Sequence, residues 1–236
     1  MANLIDKPTY LGHRQRLREK FIQGMGNGLA DYELLELVLF QAYPRQDVKP
    51  IAKKLMQHFG TLSAVIQASS EELKAVEGIG QVSIVVIKLI HATCLRMLKQ
   101  DMQQSLIFHQ SADVINYYHL KLAHVQREEF HVLFLNHQFQ LLKDEALQTG
   151  TVNYINIFPR ELIKRALELS ASYLLFIHNH PSGDTTPSFE DRQTTEELRN
   201  ILKKLGIEII DHLIISKLGY YSFKADQQFK HSQMEK

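Results

Sequence analysis

YLLFIHNHPSGDTTPSFED, residues 173–191, decides how this chain is read. Tyr173–Ile177 is apolar and partly β-branched, the character of a strand, and it runs into His178-Asn179-His180. A loop rich in Pro, Gly, Ser and Asp follows, and Ser188-Phe189-Glu190-Asp191 opens a polar helical pattern. Side chains at i and i+2 of a strand share a face. The two imidazoles therefore converge at the carboxyl end of the strand, where loops leave a sheet. Asp191 returns on the first turn of the next element. Two histidines and a carboxylate, with a position left for water, form the ligand set of a catalytic zinc site. The same residues have plainer uses. A His-x-His at a strand end can be solvated, and Ser188-x-x-Asp191 reads as a helix N-cap with an acidic first turn. Asp191 can cap and ligate together, or only cap.

Working outward, the chain has 236 residues, enough for one large or two modest domains. Its net charge of +1 sets up no global field that demands nucleic acid or a membrane. The single cysteine, Cys94, lies in an apolar helical pattern and excludes a disulfide framework or a thiolate zinc site within one chain. A reduced, cytoplasmic setting is expected. No apolar run approaches the ~20 residues of a membrane span, and the N-terminus lacks the layout of a signal peptide.

The first half reads as helices. Residues 1–8 are a tail, and the basic run His13–Lys20 is a helix with either a phosphate-contacting or a merely solvated face. Asp31 caps an apolar helix from Tyr32 to about Gln41. Val48–Phe59 and Leu62–Gln67 follow, with Gly60 at the first C-cap. Ser69-Ser-Glu-Glu72 is a capping-box start for a helix ending near Glu77. Gly78-Ile79-Gly80 then leads into the apolar helix Gln81–Leu98. Helix, Gly-apolar-Gly turn and second helix, around residues 71–98, resemble a helix-hairpin-helix. In such a turn the backbone N–H groups of Gly78 and Gly80 can hold a nucleic-acid phosphate. After Gly80, however, the chain reads QVSIVV, without a following Lys or Arg. Residues 1–105 carry 13 Lys+Arg against 10 Asp+Glu, a mild excess. The competing use is a packing turn between two helices.

Lys99–Gln110 is polar, and the domain boundary is placed there, dividing a helical domain (1–103) from a second one (104–226) and a tail (227–236). In the second, Ala112–Ala123 reads as a helix and Glu128–Leu135 enters a strand. Asn136-His-Gln138 turns, Phe139–Leu142 returns, and Ala146–Val152 is a further strand. Pro159 opens a helix to Leu169. A long helix from Ser188 is ended by Gly206, and Ile207–Ile215 and Tyr220–Phe223 close the sheet. The mixed order implies an α/β (α+β) sandwich rather than a doubly wound parallel sheet.

The full string His178-x-His180, seven residues, Ser188, two residues, Asp191 resembles the signature of JAMM/MPN+ metalloproteases. HNHPSGD, then PSxxD and DHLII, is similar to the RadC family, and FPRELIKRALELSASYLLFIHNHPSGD follows that family's order of a Pro-Arg-Glu helix before the metal strand. The resemblance implies a JAB/MPN-like domain with one Zn2+ held by His178, His180 and Asp191. It implies a peptide or isopeptide hydrolase acting on a protein or peptide, with Glu128 as general base and Ser188 steadying the oxyanion. Glu128 matches the pattern Glu-x-Phe-x-Val-Leu-x-Leu; Glu129 is an alternative, and Glu145 a third. Asp211-His212 also belongs to the pattern, as an outer contact to the site or a buried structural pair. The family's DNA-repair label gives a second reading, a non-catalytic repair or recombination factor that binds DNA through its helical half. Zinc deaminases are excluded, because their His-x-Glu and Pro-Cys-x-x-Cys signature is absent.

Overall fold

A computed structural model of the protein describes residues 12–104, 111–149 and 158–226. The expected tails at 1–8 and 227–236, and residues 150–152 of the expected strand, lie outside the described residues. The chain separates into two compact units, residues 1–94 and 95–236.

The first unit is helical: α1 (His13–Gly24), α2 (Asp31–Leu39), α3 (Lys49–Phe59), α4 (Leu62–Gln67), α5 (Ser70–Lys74) and the start of α6 (Gln81–Gln104). Local side chains set the helix starts. Thr61 Oγ1 accepts the Ala64 N–H, and Ser69 Oγ accepts the Glu72 N–H while the Glu72 carboxylate accepts the Ser69 N–H. Asp31 is not the cap of α2. It is the first helical residue, and the Ala30 N–H is held instead by the Glu33 carboxylate. Leu35, Leu39, Leu55, Val65, Leu73 and Ile87 form the centre of this unit's core.

Helix α6 departs from the sequence reading in two ways. It continues past Leu98 to Gln104, into the polar stretch where the domain boundary was placed, and the division at Cys94/Leu95 falls inside a helix. It is also long and apolar enough over Gln81–Gln103 to meet the length and composition of a membrane-crossing segment, which the sequence reading did not find. Ile84 and Ile87 pack in the first core, and Leu95, Leu98 and Met102 in the core of the second unit.

The second unit contains α7 (Ser111–Leu122), β1 (Glu129–Leu135), β2 (Leu141–Thr149), α8 (Pro159–Glu168), β3 (Tyr173–Asn179), α9 (Phe189–Lys203), β4 (Glu208–Ser216) and β5 (Gly219–Ser222). The return after the hairpin and the further strand at 146–149 are one continuous strand, β2. The sheet order is β2-β1-β3-β4-β5, with β3 and β4 parallel and every other pair antiparallel. This is the mixed α/β sandwich expected from the sequence. Val114, Tyr118 and Leu122 of α7 cover Leu133, Leu175, Ile177 and Leu213 on one face. Leu162 and Ala166 of α8, with Leu198 and Leu202 of α9, cover Val132, Phe134, Leu174 and Phe176 on the other. Each fully buried Leu or Phe stabilises by roughly 1.5–3 kcal/mol, so the two layers fix the sheet faces firmly.

A bulge in β4 sets the direction in which His212 points. The β3–β4 register runs Leu174↔Ile209 and then Leu175↔Asp211, leaving Ile210 as an extra residue. The extra residue resets the alternation of β4. Ile209 faces α8 and α9, Ile210 packs towards α7, and His212 comes back beside Phe176.

Candidate metal centre

His178 is the sixth residue of β3 and shares its face with Leu174 and Phe176. His180 follows two residues on, at the strand end. Ser188 N-caps α9: its Oγ accepts the Asp191 N–H at 3.0 Å, and Asp191 Oδ2 accepts the Ser188 N–H at 2.8 Å and the Ser188 hydroxyl proton at 2.7 Å. The capping box therefore aims the Asp191 carboxylate at the histidines. One ligand atom from each of His178, His180 and Asp191 lies within 4.8 Å of the others. His178 Nε2 is 3.0 Å from His180 Nε2 and 3.3 Å from Asp191 Oδ1, and His180 Nε2 is 3.4 Å from Asp191 Oδ2. Nitrogen and oxygen ligands about 2.0–2.1 Å from a tetrahedral zinc stand roughly 3.3 Å apart, so the spacing fits the ion.

The proton inventory fits it as well. His180 Nδ1 lies 2.8 Å from the Asp184 carbonyl, which can only accept, so Nδ1 carries the proton and Nε2 presents a lone pair. His178 Nδ1 is 2.7 Å from His212 Nε2. With His178 Nε2 and the Asp191 carboxylate beside His180 Nε2, the centre gathers the kind of ligand atoms a cation takes. Burial alone would raise the Asp191 pKa; the nearness of the His178 and His180 rings outweighs it and holds the group well below the usual carboxylate range. Burial likewise pulls His180 down, and the neighbouring Asp191 carboxylate together with the Asp184 carbonyl leaves it raised. Burial holds His212 well below its usual value, so its ring is neutral.

These groups line a cavity of about 800 Å3 with Glu128, Ser188, Phe130 and Thr195. Antiparallel pairing sets Phe130 opposite His178. Glu128 lies two residues before Phe130 and on the same side, and burial raises its pKa against the opposing pull of His178 and His180. Glu129 turns away. Its carboxylate contacts Arg127 and His131, each at 3.2–3.3 Å, and it does not line the cavity. Glu145 is occupied by Arg165 of α8 at 2.5–3.0 Å, also away from the cavity. Gly183 has φ 94°, in the left-handed region, so the loop between the ligands favours a glycine there.

Two functional contacts were not read from the sequence. Asn179 is buried between the two ligand histidines and points to the other face. Its Oδ1 accepts the Glu129 N–H, and its Nδ2 donates to the Val125 and Arg127 carbonyls. It ties the segment that carries Glu128 to the ligand strand. Thr195, one turn beyond Asp191, contacts His212. Its signal was the i+4 spacing from Asp191, which places both on one helix face.

In the first unit, Gly78 and Gly80 sit between α5 and α6, but the Gly80 N–H is already used. It donates to Tyr43 Oη and Ser83 Oγ, both at 3.0 Å, and the Tyr43 hydroxyl donates to the Gly78 carbonyl. A Cβ on Gly78, at φ 93°, would meet Ile51 at 3.1 Å. These are contacts of a packed turn.

Residues 108–229 match the model of the RadC-like JAB domain, and residues 10–85 match that of the UPF0758 N-terminal region. The chain is similar to a UPF0758 protein of Ruegeria pomeroyi, 43% identical over 220 residues that cover 93% of this chain and 98% of that protein.

Proposed function

The chain belongs to the family of proteins with a RadC-like JAB domain, and from that footing we propose that its His178–His180–Asp191 site is a zinc-dependent centre that hydrolyses a peptide or isopeptide bond. The observation that carries the proposal is the meeting of three ligand atoms with a carboxyl of raised pKa, Glu128, in one cavity. One Zn2+ per chain, when bound, would supply a polarised water near neutral pH and a Lewis acid for the carbonyl. Glu128 takes the proton from the water and passes it to the leaving amine. Its raised pKa brings it closer to the working pH, where a group can both accept and donate. The Ser188 hydroxyl donates to the carbonyl oxygen as negative charge develops there. Asn179 keeps Glu128 in reach through the backbone it holds. The substrate is a protein or peptide, and Cys94 as the single cysteine suits a cytoplasmic site of action. Binding of DNA by the Gly78–Gly80 turn is not part of the proposal, because the Gly80 N–H is spent on Tyr43 and Ser83.

The test is Glu128→Gln, assayed on a peptide library with the zinc-loaded chain. The expected result is a loss of about 10²–10⁴ in rate with zinc content unchanged. Cleavage at the wild-type rate by this variant would remove Glu128 from the mechanism.

A further inference from the structure

His212 and Thr195 form a chain of hydrogen bonds that starts at one proposed ligand and ends at the backbone of another. Thr195 Oγ1 lies 2.6 Å from the Asp191 carbonyl oxygen and 2.7 Å from His212 Nδ1, and His212 Nε2 lies 2.7 Å from His178 Nδ1. Two oxygens 2.6 Å apart require a proton between them. The carbonyl has none, so the single hydroxyl proton of Thr195 points at Asp191. Thr195 Oγ1 can then only accept from His212, which places the His212 proton on Nδ1. His212 Nε2 is left as an acceptor, so the His178 proton sits on Nδ1. The lone pair of His178 Nε2 is thereby turned into the centre, beside that of His180.

We propose that Thr195 and His212 are positioning residues that fix His178 in its Nδ1–H tautomer and tether it to the helix that supplies Asp191. The surroundings suit a fixed element. His212 is 2% exposed and Thr195 2%. The His212 ring stacks on Phe223 at 4.8 Å and meets the edges of Phe130 and Phe176 at 5.5 and 5.8 Å. Its Nδ1 meets Thr195 and its Nε2 meets His178. The reverse polarity, with the Thr195 proton on His212 Nδ1, would put a proton on His178 Nε2 and close the centre to a cation. The Asp191 carbonyl prevents that reversal.

The inference rests on the metal reading of the site, and its test separates the two. Long-range 1H–15N spectra of the metal-free full chain report which nitrogen of each imidazole is protonated. The wild type is expected to show His178 protonated on Nδ1. Thr195→Val keeps the shape and removes the hydroxyl; it is expected to give His178 a mixture of tautomers and to weaken zinc binding, by competition with a chelator, on the order of 10- to 100-fold. Thr195→Ser restores the hydroxyl and is expected to recover both. His178 protonated on Nε2 in the wild type overturns the proposal. So does a Thr195→Val chain that keeps the wild-type tautomer and zinc affinity, or a loss that Thr195→Ser fails to repair. A wild type that takes up no zinc would end the metallopeptidase reading, while the tautomers of the metal-free chain would still decide the role of Thr195 and His212.

Discussion

Two polar clusters lie on opposite faces of β1, and they are built from the same kinds of residue. On the α8/α9 face are Glu128, His178, His180, Asp191 and His212. On the α7 face are Glu129, His131 and Asp144, with Lys121, Tyr118 and Arg127 among them. In the second cluster donors alternate with acceptors. The Tyr118 hydroxyl donates to Asp144 at 2.6 Å, Lys121 Nζ lies 3.5 Å from Asp144 and 3.3 Å from His131 Nδ1, and Glu129 is held by Arg127 and His131. Every charge there has a protein partner. In the first cluster the histidine protons are drawn outwards, to the Asp184 carbonyl and towards His212, and three acceptors face one another. Burial and residue type do not separate the charge-paired cluster from the proposed metal site; the direction of the protons does.

The comparison is broken most directly by removing one acceptor. His178→Ala is expected to take bound zinc from about one per chain to near none, read by elemental analysis of purified protein, because two remaining ligands hold the ion poorly. Undiminished zinc in that variant would mean that the ion sits elsewhere and that the two clusters differ only in exposure. His131→Ala, on the other face, should leave zinc content alone.

A smaller effect sharpens the other side. Burial alone would raise the Asp144 pKa, but the adjoining His131 ring, the Lys121 charge and the Tyr118 hydroxyl hold it at about 2, against an ordinary value of 3.8. The folded value lies below the unfolded one. The carboxylate therefore stabilises the fold above about pH 4, and this contribution is lost as pH falls from there towards 2. A shift of that size corresponds to on the order of 2 kcal/mol. Asp144→Asn should cost about that much in urea unfolding of the metal-free chain at pH 7, and progressively less along the acid limb. A constant cost at all pH values would place the effect in packing rather than in charge.

How much of this was legible in the sequence depended on how local the signal was. His178, His180 and Asp191 are set by strand alternation and a capping box, both readable from spacing. Glu128 against Glu129 was not decidable from the chain, because adjacent strand residues face opposite ways and only the pairing of Phe130 with His178 says which way is inward. His212 is a sharper case. Simple alternation from Ile209 would send it to the α7 face, and the extra residue Ile210 brings it back. Such a slip leaves no mark in composition. Helix α6 ran beyond its expected end because Lys99–Gln104 is polar yet contains no Gly or Pro to stop it. The family resemblance supplied what local spacing lacked for Glu128; it included Asn179 within HNHPSGD without giving it a role, and Thr195 had only its i+4 spacing from Asp191.

Ser188 offers the smallest effect and the finest distinction, since it stands in both worlds, structural cap and proposed oxyanion donor. Its Oγ accepts the Asp191 N–H, and its proton goes to Asp191 Oδ2, which also receives the Ser188 N–H. Asp191 thus keeps one donor when the hydroxyl is lost or turns towards a substrate. As an N-cap, Ser188→Ala should cost about 1 kcal/mol of stability, whereas Ser188→Gly should cost only a few tenths, because glycine is tolerated at that position. Loss of an oxyanion donor costs about 3 kcal/mol in the transition state whichever residue replaces it. Ser188→Gly is therefore expected to melt close to the wild type and still lose about 10²-fold in rate with zinc bound. Equal activity in the glycine variant and the wild type would reduce Ser188 to a cap, and the acceptor-rich cluster would then owe its catalysis to Glu128 and the ion alone.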